Sequence, residues 1–239
     1  MNTVSVRGGL ANRLRVLYAH YCAMVLLRSN SSLSLVWPLH PHCPQPFEDL
    51  FDPLVNLTTH TELADQYYRN VSSPPPTNVP LVRPERNCHV ECSLKPNAAL
   101  QERIDFNLRR LGHPFACLHI RRTDLKSELK KTQANPVSDG EFEIWTKAQN
   151  LTTFLATDNA QTQQHFMQLF GSIVTENIKD VHDLRKTSVA TAVVDAWTCA
   201  HSSAFMGTPH SSFTNNIRSL RACHRHDHTG KQQVPSRGG

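Results

Sequence analysis

The chain has 239 residues, 39% hydrophobic and 19% charged, with a formal net charge of +5. A 150-residue domain already hides roughly 70% of its unfolded surface, so this length needs no covalent help to build a core, and the composition excludes a disordered chain. A pI near 8.9 suits a phosphate-bearing ligand but falls short of a nucleic-acid-binding footprint, and no apolar run approaches the ~20 residues of a membrane span.

In chain order, a short strand over 3–6 turns at Arg7-Gly8-Gly9 into a helix over about 11–28. Its Leu14, Leu17, Tyr18, Tyr21 and Val25 recur at helical spacing. Residues 33–37 read as a buried strand stopped by Pro38, 39–51 as an irregular surface stretch, and 55–59 as another strand. Pro74, Pro75, Pro76 and Pro80 make 72–80 an extended connector. Beyond it the pattern is regular: helix 97–111, strand 115–120, helix 139–149, strand 152–156, helix 160–170, strand 172–175, helix 187–201, strand 204–207 and helix 212–221. Short apolar strands alternating with helices predict a parallel sheet covered on both faces. Ligands bind such sheets at the carboxyl ends of the strands. Two α/β halves, 1–96 and 97–223, are expected to face a cleft, with 224–239 as a disordered tail.

Seven cysteines leave at least one unpaired. Cys22, Cys117 and Cys199 lie in apolar runs, where a free thiol behaves as a small hydrophobe. Cys88 and Cys92 lack the second pair that a structural zinc site needs. Cys223-His224-Arg225-His226-Asp227-His228 reads as an adventitious metal binder in the tail. No basic-then-apolar leader opens the chain, so the cytoplasm is the expected location, with a secretory-pathway fragment kept open. The sequons at Asn30, Asn56, Asn70 and Asn150 carry weight only in that second case.

Five short motifs carry polar chemistry. In His119-Ile120-Arg121-Arg122-Thr123-Asp124, strand alternation sends His119 and Arg121 to one side and Arg122 to the other. One guanidinium can then grip a phosphate while its neighbour pairs with a local acid. Asp195, in the apolar run 189–197, either meets solvent, pairs with an arginine, or accepts the two adjacent donors on the pairing edge of guanine. Gly207-Thr208-Pro209-His210-Ser211-Ser212-Phe213 puts hydroxyls and free amides at a helix start, where a serine caps the helix and a phosphate can sit. Gly8-Gly9-Leu10-Ala11-Asn12-Arg13 lets backbone approach a ligand. Phe154-Leu155-Ala156-Thr157-Asp158-Asn159 ends a strand on an acid that could simply cap the next helix.

Taken in chain order, from Gly8-Gly9 through His119–Asp124, Leu155–Asp158 and Asp195 to Ser211-Ser212-Phe213, the five motifs resemble the fucosyltransferase superfamily, which includes the α-1,6, nodulation-factor and protein O-fucosyltransferases. The resemblance runs over about 5–220, though 39–97 contributes nothing to it. It implies a GT-B-like α/β fold of two Rossmann-like domains, the C-terminal one holding the donor. It also implies GDP-fucose as donor, inversion at the anomeric carbon, and no metal or other cofactor. Carried onto this sequence, Arg121 would hold the β-phosphate, and His119 and Asp195 would contact guanosine. Ser211, Ser212 and Phe213 would line the phosphate and base pocket, and Gly9 and Asn12 would approach from the other domain. Asp158 would support Arg121 or its loop. Glu128 is the candidate base for the acceptor hydroxyl, with Asp124 as fallback. A same-fold transferase using another nucleotide sugar and a non-catalytic nucleotide-sugar-binding module are the alternatives. The acceptor, whether glycan, peptide or small molecule, is left open.

Overall fold

The computed structural model describes residues 2–6, 9–22, 32–40, 43–63, 90–122, 137–177 and 188–229. The connector over 72–80 and both candidate bases, Asp124 and Glu128, lie outside them.

Strands β1 (Asn2–Ser5), β2 (Leu33–Leu39) and β3 (Leu57–Leu63) form a parallel sheet in that order, with α1 (Leu10–Tyr21) following β1. Pro38, expected to stop β2, lies inside it. Pairing with β1 covers only Leu33 to Val36 of β2, so the amide that Pro38 lacks falls beyond the reach of that neighbour. Of the stretch expected to be irregular surface, Leu39 belongs to β2 and 43–51 is irregular, but it is not all surface: Cys43, Phe47, Leu50 and Phe51 are buried in the core.

The C-terminal half contains α2 (Ala98–Leu111), β4 (Ala116–Ile120), α3 (Asp139–Gln149), β5 (Thr153–Thr157), α4 (Ala160–Leu169), β6 (Ile173–Val174), α5 (Val189–Ala200), β7 (Ala204–Gly207) and α6 (Ser212–Thr229). Its four strands are all parallel, in the order β6-β5-β4-β7. Short polar side chains start the helices. Asn97, Ser138, Asn159 and Ser188 each accept a hydrogen bond from a first-turn amide. Asn159, not Asp158, is thus the cap of α4. Gly112 ends α2 at φ 66° and ψ −179°, a positive-φ extended conformation open to glycine, and Asn150 ends α3 at φ 49° and ψ 39°, the left-handed conformation that stops helices.

One apolar cluster joins the two sheets: Leu14, Leu35 and Trp37 belong to it together with Ile104, Cys117, Val193 and Ile217. Polar bonds reinforce the junction. The Gln45 side chain accepts from the Ala190 amide at 2.9 Å, and the Asn97 side chain donates to the Asp49 carbonyl at 2.8 Å. The Phe51 and Trp197 rings lie 5.6 Å apart. A smaller cluster of Leu118, Ile120, Phe142, Leu155 and Phe166 covers the other face of the second sheet. No helix among the described residues is long and apolar enough to cross a membrane.

Two expectations are corrected. The last helix continues past Arg221 to Thr229, so 224–229 is helical rather than disordered. Cys223, near its end, is bonded to Cys92 beside a short 3-10 turn (Val90–Cys92). The thiols expected to be free are also paired: Cys117 of β4 is bonded to Cys199 of α5, and Cys22 is disulfide-bonded as well. Cys43 is the free, buried thiol among the described residues.

The Cys117–Cys199 bond closes a loop with a sequence separation of 82, for which chain entropy predicts a contribution of about 4.5 kcal/mol. Replacing both residues by alanine is expected to lower the urea-unfolding free energy by a substantial part of that. An unchanged midpoint and slope would contradict it.

Candidate active site

β4 is buried along its whole length, and its side chains alternate between the two apolar clusters. Cys117 faces the cluster shared with α5 and α6, while Leu118 and Ile120 face α3 and α4. Continued past the strand end, this alternation separates three basic side chains. His119 meets Thr214 of α6. Arg122 turns to the opposite face, where it donates to the Val137 carbonyl at 3.1 Å, pairs with Asp139 and lies 5.7 Å from the centre of the Phe142 ring. Arg121, between them, is half-buried.

The backbone carrying these residues is held from both sides. The Arg121 amide donates to the Thr208 hydroxyl at 3.0 Å, and the Thr208 amide donates to the His119 carbonyl at 2.9 Å. On the β5 side, the Arg122 amide donates to Asp158 Oδ1 at 2.8 Å, and the Thr157 hydroxyl donates to the Ile120 carbonyl at 2.7 Å. The strand end is therefore a fixed platform, with the carboxyl ends of β5 and β7 bonded to it.

The hydroxyl of Thr214 settles the state of His119. It donates its single proton to the Thr208 carbonyl at 2.8 Å, so toward His119 Nδ1, 2.7 Å away, it can only accept. Nδ1 carries the ring hydrogen, and Nε2 of the neutral ring is an acceptor. Burial holds the His119 pKa down to about 4, with the Asp158 charge opposing and the Arg121 charge reinforcing that shift. The Phe213 ring lies 4.9 Å from the imidazole, tilted by 44°. Close packing also explains Gly207: a Cβ there would sit 2.7 Å from Thr214 Cγ2 and 2.9 Å from Phe205 Cζ.

The β7–α6 turn passes through His210 at φ 59° and ends on Ser211, whose buried hydroxyl caps α6 by accepting from the Thr214 amide at 3.4 Å. Ser212 and Phe213, both half-buried, follow at the helix start, where amides and helix dipole favour an anion.

The structure thus brings His119, Arg121, Asp158, Ser211 and Phe213 to neighbouring strand ends. Asp195 does not meet solvent: it is 5% exposed, among Val193, Val194, Ala196 and Trp197. Gly9 and Asn12 lie at the start of α1 after β1, where the Asn12 and Arg13 amides donate to the Gly9 carbonyl. Sequence reasoning missed Thr208 and Thr214. Their signals were the position after a strand-ending glycine and the spacing of three from a capping serine. It also passed over Arg13, which is 1% exposed with its guanidinium carbon 4.8 Å from the centre of the Trp37 ring. The metal reading of 223–228 loses its thiolate, because Cys223 is in a disulfide.

The buried imidazole gives stability a defined pH dependence. Its folded pKa, about 4, lies below the ordinary histidine value of 6.5, so the unfolded chain binds the proton more readily. This contribution is complete above pH 6.5 and is lost as pH falls toward 4, up to about 3 kcal/mol. In urea titrations, the gap between the natural chain and His119→Gln is expected to narrow over that window. A pH-independent gap would show that His119 titrates alike in both states.

Residues 61–224, more than half of the chain, match the GDP-fucose protein O-fucosyltransferase family. The fucosyltransferase NodZ from Bradyrhizobium has the same fold, with a TM-score of 0.57 and 20% identity over 91% of this chain and 92% of that one. NodZ alpha-1,6-fucosyltransferase soaked with GDP-fucose gives 0.56 and 19%, with 92% of each chain covered. POFUT1 in complex with GDP-fucose gives 0.58 and 12%, covering 92% of this chain and 94% of that one. Among curated protein sequences, none matches. The strand-end platform and the sequence match agree: this chain is a glycosyltransferase, and it belongs to the GDP-fucose protein O-fucosyltransferase family.

Proposed function

We propose that the chain transfers fucose from GDP-fucose to a hydroxyl acceptor with inversion at the anomeric carbon and without a metal ion, and that Arg121 stabilises the departing diphosphate. The observation that carries this reading is the fixed strand end: the Arg121 backbone is bonded to Thr208 while the next arginine is committed to Asp139. A preorganised cation acts where charge develops, with little reorganisation during the reaction.

In this mechanism the acceptor oxygen attacks the fucose anomeric carbon from the face opposite the diphosphate. The bond from that carbon to the β-phosphate oxygen breaks, and its electron pair leaves on GDP beside Arg121. The acceptor proton passes to a carboxylate, for which Glu128 is the first candidate and Asp124 the second. Guanine is read by the Asp195 carboxylate and by the bare Nε2 of His119, with Phe213 along the base. Ser211 and Ser212 place the start of α6 near the phosphates, and Gly9 and Asn12 approach from the 1–96 half. Asp158 acts through the Arg122 amide, holding the loop that begins at Arg121.

The disulfides bear on location. Paired cysteines persist in oxidising compartments and are rare in the cytosol, so Cys92–Cys223 and Cys117–Cys199 support the secretory pathway over the cytoplasm expected from the sequence.

GDP release from GDP-fucose is expected to proceed in EDTA, and Arg121→Ala is expected to lower kcat/KM roughly 100-fold or more, with partial recovery in Arg121→Lys. Loss of activity in EDTA, restored by a divalent ion, would contradict the metal-free mechanism. Full turnover by Arg121→Ala would contradict the assigned role.

A further inference from the structure

We propose that Asn56 and Asn150 are sites of N-linked glycosylation. Both head an Asn-x-Thr sequon, Asn56-Leu57-Thr58 and Asn150-Leu151-Thr152. The other two sequons, at Asn30 and Asn70, fall outside the described residues.

The two asparagines share one backbone conformation. Each is exposed and left-handed, at φ 59° for Asn56, in the turn immediately before β3, and 49° for Asn150, at the end of α3 and two residues short of β5. Asn56 precedes β3 and Asn150 precedes β5. Left-handed asparagine needs only its short amide to be tolerated there, and the side-chain nitrogens take no part in hydrogen bonding among the described residues. A bulky, solvated oligosaccharide on either nitrogen would displace no packed group.

Placement in the parallel sheets adds a second argument. Asn56 and Asn150 sit at the amino ends of strands, whereas His119, Arg121, Asp158 and Thr208 lie at or just beyond carboxyl ends. A glycan on Asn150 would project from the amino edge of the second sheet, opposite the proposed donor site, and one on Asn56 from the amino edge of the first sheet, so neither position lies at the strand ends that bear that site. The donor would be a lipid-diphosphate-linked oligosaccharide of the secretory membrane. The asparagine nitrogen bonds to its anomeric carbon, the carbon–oxygen bond to the diphosphate breaks, and the displaced proton goes to a base on the transferring enzyme.

This proposal rests on the secretory location argued above, and the test separates the two. The full chain is isolated from the cells that make it, with free thiols blocked before lysis, and its peptides are mapped after amidase treatment in ¹⁸O-water. Conversion of Asn56 and Asn150 to ¹⁸O-labelled aspartate is expected. Asn56→Gln and Asn150→Gln should each remove one glycan's gel shift and leave GDP-fucose turnover unchanged. A chain with Cys117 bonded to Cys199 but both asparagines bare would overturn the glycan proposal and leave the location standing. Free thiols at Cys117 and Cys199 with bare asparagines would overturn both.

Discussion

Three basic side chains leave the end of one strand within four residues, and the site depends on how they are kept apart. Strand alternation does part of it: His119 goes to the face of α6 and Arg122 to the face of α3. Each then meets a different environment. Arg122 is neutralised by Asp139 and backed by Phe142. His119 is buried and therefore uncharged. Arg121 stands between them, on a backbone whose amides at 121 and 122 are bonded to Thr208 and Asp158.

Much of this was legible from the sequence because it follows local rules. Period-two alternation separated His119 from Arg122, and asparagine and serine caps marked where helices begin. The hidden parts depend on contacts far apart in the chain. Nothing local to Thr214 announces that its hydroxyl orients a histidine 95 positions away. Asp158 looked like a helix cap because its neighbour Asn159, which does cap, is chemically similar. Pro38 looked like a strand stop because the sequence cannot show how far β1 extends alongside β2.

The cysteines show a different limit. Cys117 and Cys199 look like buried apolar residues in sequence, and they are buried, each 0% exposed. Burial alone does not distinguish a thiol from half of a disulfide; that takes the 5.4 Å between their Cα atoms. This bond ties β4, two residues before His119, to α5, four residues after Asp195. It thereby joins the strand that bears the proposed phosphate cation to the helix that bears the proposed base reader. The fold and the candidate chemistry share this cross-link.

The central claim is that the cation at position 121 meets the diphosphate of a guanine nucleotide at the carboxyl end of β4. A crystal structure with bound GDP tests it directly. The account predicts the β-phosphate within hydrogen-bonding distance of the Arg121 guanidinium and the base against Phe213, with His119 Nε2 accepting from the nucleoside. GDP bound elsewhere, with Arg121 remote from both phosphates, would contradict it.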